Sequence, residues 1–150
     1  MKTLFAAVVF IGCLAAATTA QAGDSVQSLL EPYFRIQTAL TEDKTDGVKA
    51  DAEAIGKQAR ALGEPGSRMA KAASELAAAA DINAAREAFG RLSDAVIAYS
   101  EGTRVPTGDS VNTMYCPMNK KSWLQKGDQV KNPYYGKAML TCGEKKKKST

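Results

Sequence analysis

Residues 82–102 read INAAREAFGRLSDAVIAYSEG, and their apolar positions recur at steps of three and four. This spacing places one apolar stripe along an α-helix. Asp81, just before the stripe, is a typical N-cap residue, and Gly102 ends the pattern. The stripe consists of Ile82, Ala85, Phe89, Leu92, Val96 and Tyr99. The sequence therefore predicts a long amphipathic helix that packs its apolar face against other helices.

Three earlier stretches show the same helical periodicity. The first spans residues 25–41, where Pro32 either lies in the first turn or kinks the helix. The second covers residues 46–62, and the third begins at Pro65. Short connections between such helices favour antiparallel neighbours. We therefore expect an all-α fold, an up-and-down four-helix bundle formed by residues 23–102.

The chain changes character after the predicted bundle. Residues 103–112 contain turn-forming Pro and Gly and are expected to form a linker. We expect residues 103–143 to form an irregular segment, rich in Cys and Met, that packs on the bundle within the same domain. The Lys-rich residues 144–150 are expected to form a disordered tail.

The N-terminus has the features of a secretory signal peptide. Lys2 precedes an apolar run, and Ala20-Gln21-Ala22 is a small-residue cleavage site. Residues 1–22 are therefore expected to be cleaved, and we expect a periplasmic location. No other segment is apolar enough to span a membrane.

The net charge of +4 gives little reason to expect nucleic acid as a partner. It equals the charge of the four consecutive lysines, residues 145–148, near the C-terminus. No predicted helix carries the basic stripe that nucleic-acid binding requires.

Sulfur-containing residues cluster in the C-terminal segment. Cys116 and Cys142 are accompanied within three residues by Met114, Met118 and Met139. Thiolates and thioethers are soft ligands that select soft metals, above all Cu(I). The chain contains no His, which weakens the case for Zn²⁺ or Cu²⁺. The five sulfur residues are therefore candidate ligands of one Cu(I) site.

A disulfide between Cys116 and Cys142 is the alternative interpretation. Exported proteins meet oxidising conditions, and closing this loop would stabilise the fold by roughly 3–4 kcal/mol. Both states could also alternate, with reduction exposing the metal site. The neighbouring aromatic residues would either shield a soft cation or make sulfur–aromatic core contacts; they are Tyr115, Trp123, Tyr134 and Tyr135.

The absence of His also excludes Ser-His and Cys-His nucleophile pairs. No phosphate-binding glycine loop or paired-carboxylate pattern is evident. The sequence therefore predicts a binding protein and not an enzyme.

The C-terminal blocks resemble those of a bacterial family of exported domains of unknown function. The blocks are Tyr115-Cys116-Pro117-Met118, Trp123-Leu124, Asn132-Pro133-Tyr134-Tyr135-Gly136 and Met139-Leu140-x-Cys142-Gly143. Such domains occur alone or fused to the adaptor subunits of copper and silver efflux systems. The resemblance implies a helical bundle with a Cys/Met segment, metal ligation by Cys116, Met118, Met139 and Cys142, and efflux adaptors as partners.

One departure from a related motif bears on the metal. Cys116-Pro117-Met118 is similar to the Cys-Pro-Met-His motif of small heavy-metal-binding domains, but Asn119 follows here. The leading expectation is therefore a protein of copper homeostasis that binds Cu(I), or Ag(I), through sulfur. The rival is a disulfide-closed interaction module that docks on an efflux adaptor without binding metal.

Overall fold

The computed structural model describes the backbone of residues 18–147 and the side chains of residues 26–147. The predicted signal peptide lies outside the described residues, except that the backbone of residues 18–22 belongs to the first helix. Residues 148–150 of the predicted tail also lie outside them. Among the described helices, none is both long and apolar enough to cross a bilayer.

Four α-helices form the first part of the molecule, as the apolar periodicity predicts. They are α1 (Thr18–Thr41), α2 (Val48–Ala61), α3 (Ser67–Ala77) and α4 (Ile82–Thr103). Asp81 caps α4 by accepting a hydrogen bond from the amide of Ala84. Pro32 lies inside α1, so the helix continues through it instead of starting there. Each of the pairs α1–α2, α2–α3 and α3–α4 packs together.

The expected all-α fold is wrong, because the C-terminal segment contains a three-stranded antiparallel sheet. Its strands are β1 (Val111–Cys116), β2 (Lys121–Lys126) and β3 (Glu144–Lys145), in the order β2-β1-β3. β1 and β2 form a hairpin closed by the turn at residues 117–120, with Met114 opposite Trp123. The molecule is therefore a mixed α/β protein, and the region predicted to be irregular is largely a sheet.

The third strand also changes the C-terminal boundary of the ordered region. Glu144 and Lys145 pair with Tyr115 and Met114 of β1. The Lys146 amide adds a hydrogen bond to the Thr113 carbonyl. Residues 144–150 were expected to form a disordered tail because of their lysine run, and a two-residue strand of charged side chains gives no apolar pattern that would reveal it.

The sheet completes the bundle because β2 packs against α4 and contacts α1. The outer edge of β2 would otherwise leave backbone groups without partners. Tyr33 of α1 accepts a hydrogen bond from the Leu124 amide and shares a 2.7 Å hydrogen bond with Ser93 of α4. Tyr134 donates to the Ser122 carbonyl. Two buried tyrosines thus hold the edge of the sheet against the helices.

The loop between β2 and β3 is anchored at the α1–α2 turn. Arg86 of α4 donates to the carbonyls of Pro133 and Leu40 and forms an ion pair with Asp43. Gly136 has φ +54° and lies against this ion pair, where a Cβ atom would collide with Asp43 and Arg86. Arg86 therefore ties the loop that carries Cys142 to the helices, as does Gln37, which donates to the Lys131 carbonyl.

Candidate soft-metal site

The two cysteines meet at the end of the hairpin. Cys116 is the last residue of β1, and Cys142 precedes β3. Their sulfur atoms lie 3.6 Å apart although 26 positions separate them in the sequence. Both are free thiols, with Cys116 buried and Cys142 half-buried. The fold thus brings together the two cysteines for which the sequence suggests either a disulfide or a shared metal ion.

The hairpin turn favours the thiolate form of Cys116. Burial raises the pKa of this thiol, because it disfavours the charged form. Hydrogen bonds outweigh this effect and lower the pKa below its ordinary value; they come from the Asn119 amide, the Cys142 thiol, the Asn132 side chain and the Met118 amide. The backbone of the hairpin turn therefore favours the charged form of Cys116.

Cys142 has the opposite tendency. Its hydrogen bond to Cys116, together with desolvation and the negative charge that develops on Cys116, raises the pKa of the Cys142 thiol. Cys116 is therefore the thiol that loses its proton first, and Cys142 is the one that keeps it longer. Metal binding by the pair would release the thiol protons, because cysteine binds a metal as the thiolate.

Asn132 connects the dithiol to the loop. It is fully buried, and its amide nitrogen donates a 2.6 Å hydrogen bond to the Cys142 carbonyl. Its side-chain oxygen accepts from the Tyr134 amide at 2.8 Å. Asn132 therefore holds Cys142 in place, and its side chain also lowers the pKa of Cys116. In the sequence, Asn132 stands out only as part of the block Asn132-Pro133-Tyr134-Tyr135-Gly136, which gives no sign of this role.

The three methionines occupy different environments. Met114 is fully buried on β1, on the same side of the strand as Cys116 and opposite Trp123. Met118 lies in the hairpin turn with 64% of its surface exposed, and Met139 ends a short 3₁₀ helix with 37% exposed. These two are the large apolar side chains that remain exposed among the described residues. Exposed thioethers therefore lie within three residues of each cysteine.

The aromatic residues near the cysteines mainly build the core. Trp123 is fully buried and packs edge-on against Tyr134, with ring centroids 5.8 Å apart. Tyr134 in turn packs near Phe89 of α4. Tyr115 and Tyr135 are half-buried, and the Lys146 ammonium group lies 5.6 Å from the centroid of the Tyr115 ring.

The spacing of the thiols suits a shared metal ion. In tetrahedral Zn²⁺ sites, two sulfurs bound to the ion at about 2.3 Å lie about 3.8 Å apart, so the 3.6 Å found here is within the range of thiols that share a metal ion. A disulfide requires sulfurs about 2.05 Å apart. Within the described residues, no group of three or more Cys, His, Asp and Glu side chains is arranged to hold a metal. The candidate site thus consists of two thiols with thioethers nearby.

The fold and the site define a helical domain with an appended sheet that carries a dithiol. The chain belongs to the family described as Protein of unknown function (DUF3347), whose model matches residues 29–108. This match covers most of the helical part and ends before β1, so both cysteines lie beyond it. Neither a curated protein nor a solved structure matches the chain.

Proposed function

We propose that this protein binds Cu(I), or Ag(I), in the periplasm and buffers the ion or passes it to an efflux system. The observation that carries the proposal is the dithiol, in which the sulfur atoms of Cys116 and Cys142 lie 3.6 Å apart. Soft sulfur ligands select soft monovalent ions over Mg²⁺ and Ca²⁺. Binding would displace the thiol protons, so affinity would increase with pH.

The exposed methionines would complete the set of ligands. Met118 and Met139 lie near the dithiol in sequence, and each can rotate freely because much of its surface is exposed. A thioether is neutral and binds soft metals more weakly than a thiolate does. The cysteines would therefore retain the ion, and the methionines would contribute to its capture and release.

Anaerobic titration of the reduced protein with Cu(I), in competition with a coloured Cu(I) chelator, tests the proposal. We expect one ion per chain, with affinity more than about a hundredfold lower in a Cys116→Ser/Cys142→Ser variant, since even second-shell changes cost 10–100-fold. Equal affinity in the variant would refute the proposal. Met69→Leu, a substitution in the core on α3, is the matched control and should leave binding unchanged.

The second candidate function uses the same pair of cysteines without metal. A small movement of two sulfurs 3.6 Å apart would allow a disulfide, giving a closed module that docks on a copper or silver efflux adaptor. Elemental analysis of reduced and oxidised protein separates the two functions. Copper that remains bound only to the reduced protein supports the first, and docking of metal-free oxidised protein on an adaptor supports the second.

A further inference from the structure

Charge is divided unevenly between the helical part and the sheet part. Residues 26–110 contain ten Lys and Arg against thirteen Asp and Glu, a net charge of −3. Residues 111–147 contain eight Lys against Asp128 and Glu144, a net charge of +6. Five of these eight lysines precede residue 140, so the terminal lysine run does not account for the difference.

Ion pairs neutralise only part of the basic segment. Lys121 and Lys126 pair with Glu87 and Glu31 of the helices, and Lys145 pairs with Asp128. Among the described residues, the other lysines of this segment have no carboxylate within ion-pair distance; they are Lys120, Lys131, Lys137, Lys146 and Lys147. Glu42 lies near Lys131 and Lys137, but its ion pair is with Lys44.

Two of these lysines border the exposed methionines. Lys120 shares the hairpin turn with Met118, and Lys137 lies two residues before Met139. The contact between Cys116 and Cys142 brings the two segments together. We call residues 117–120 and 137–142 the soft-metal face. This face presents two flexible thioethers with Lys120 and Lys137 beside them in the sequence. The acidic side chain that contacts it is Asp43, which accepts a hydrogen bond from the Lys137 amide and forms its ion pair with Arg86.

We propose that the soft-metal face docks on an acidic protein segment that carries its own methionine or cysteine ligands. The proposal rests on the proposed function, because a metal ion can pass between two sulfur sites only when they are in contact. Lysines around the site would attract an acidic partner and orient it, which increases the association rate. Exposed methionines adapt to different partner surfaces because their side chains are flexible.

A membrane surface is a poorer fit for the same charges. Proteins that bind at the lipid interface insert exposed aromatic or aliphatic side chains into it. Here Trp123 and Tyr134 are buried in the core, and the exposed apolar groups of the face are two isolated methionines. The structure therefore favours a protein partner over anionic lipid.

The test uses the reduced, metal-free chain and a fluorescent twelve-residue peptide that contains six Glu and two Met. We expect saturable binding that weakens about tenfold in Lys120→Glu/Lys137→Glu, since reversing two exposed charges removes about 1.4 kcal/mol. The matched control is Lys49→Glu/Lys71→Glu, which changes the net charge equally at exposed positions of α2 and α3. Equal loss in both double variants would overturn the proposal, as would binding to anionic vesicles without binding to the peptide.

The docking inference and the proposed function can fail separately. Lys120→Glu/Lys137→Glu should retain Cu(I) affinity, because neither lysine is a ligand. Lost peptide binding with unchanged Cu(I) affinity in this variant supports the inference. If the unaltered chain binds the peptide but takes up no Cu(I), the proposed function is refuted and the docking surface is retained. Cu(I) uptake without peptide binding would refute the inference alone.

Discussion

The side-chain amide of Asn132 donates a 2.6 Å hydrogen bond to the carbonyl oxygen of Cys142. The same side chain accepts from the amide of Tyr134 and lowers the pKa of the Cys116 thiol. One buried residue thus links the loop, the dithiol and the aromatic core. Its position explains how an isolated loop cysteine is held beside a strand cysteine.

Asn132→Ala should destabilise the protein and raise the pKa of Cys116. Removing the amide leaves the Cys142 carbonyl and the Tyr134 amide without partners, at a cost of about 2–3 kcal/mol. Urea unfolding measures the stability, and the pH dependence of thiolate absorbance measures the pKa. Asn83→Ala, at an exposed position of α4, is the control and should change neither quantity.

The two thiols should titrate in separate steps, Cys116 below the pKa of an ordinary cysteine and Cys142 above it. Because Cys116 has a lowered pKa in the folded state, its contribution to stability is present above the unfolded pKa and is lost as pH falls through the folded pKa. Cys142 has a raised pKa, so its contribution is present below the unfolded pKa and is lost as pH rises through the folded pKa. Thiolate absorbance at 240 nm should show both steps.

Single cysteine variants assign these steps to residues. Cys142→Ala removes a donor to Cys116 and should raise the pKa of Cys116. Cys116→Ala should lower the pKa of Cys142 toward that of a free thiol, since its hydrogen bond to Cys116 is the main cause of the upward shift. Two coincident steps in the unaltered protein would contradict this description of the pair.

Met118→Leu/Met139→Leu should weaken Cu(I) binding by about tenfold while leaving stability nearly unchanged. Both side chains are exposed, so loss of the thioethers affects ligation more than packing. Met114→Leu is the comparison, because Met114 is buried opposite Trp123. That change should cost less than about 1.5 kcal/mol of stability and leave Cu(I) affinity intact. If Met114→Leu weakens Cu(I) binding and Met118→Leu/Met139→Leu does not, the thioether ligand is Met114 on β1.

Tyr33→Phe should destabilise the junction between β2 and the helices. The hydroxyl accepts from the Leu124 amide and bonds Ser93, and its removal leaves both groups buried without a partner. The expected cost is about 1–3 kcal/mol, measured by thermal or urea unfolding. Tyr99→Phe, in a half-buried position of α4, should change stability by less than about 0.5 kcal/mol.

Gly136→Ala should be destabilising by about 2 kcal/mol or more. Its φ of +54° disfavours any side chain, and the added Cβ would collide with Asp43 and Arg86. Gly102→Ala is the matched control, because Gly102 lies in α4 with open space around it. Gly102→Ala should increase the free energy of unfolding by about 0.5–1 kcal/mol, since alanine favours a helix more than glycine does. Similar effects of both changes would exclude the steric argument at Gly136.

The helices could be predicted because their signal is local. In α2 the apolar residues Val48, Ala52, Ile55 and Ala59 recur at helical spacing, and all four are buried. Asp81 was predicted as a cap from its type and position alone, and it caps α4. The family match of residues 29–108 falls on this same helical part.

The sheet could not be predicted in the same way. Burial in β2 covers Trp123, Leu124 and Gln125 in succession, because this strand packs on the helices along its edge as well as on its faces. Alternation of apolar and polar residues is therefore absent. The sequence suggested that Cys116 and Cys142 meet, either as a disulfide or at one metal ion. It did not indicate the sheet that brings their sulfur atoms to 3.6 Å.

The packing of β2 against α1 and α4 has a consequence for how the protein is made. Helices from the first hundred residues emerge during synthesis before the hairpin exists, and their core lacks Trp123 and Leu124 until then. The apolar faces of α1 and α4 must remain uncovered during that interval, when they are open to aggregation or to chaperones. Because the hairpin is synthesised after the helices, its packing on α1 and α4 is the step that closes the core.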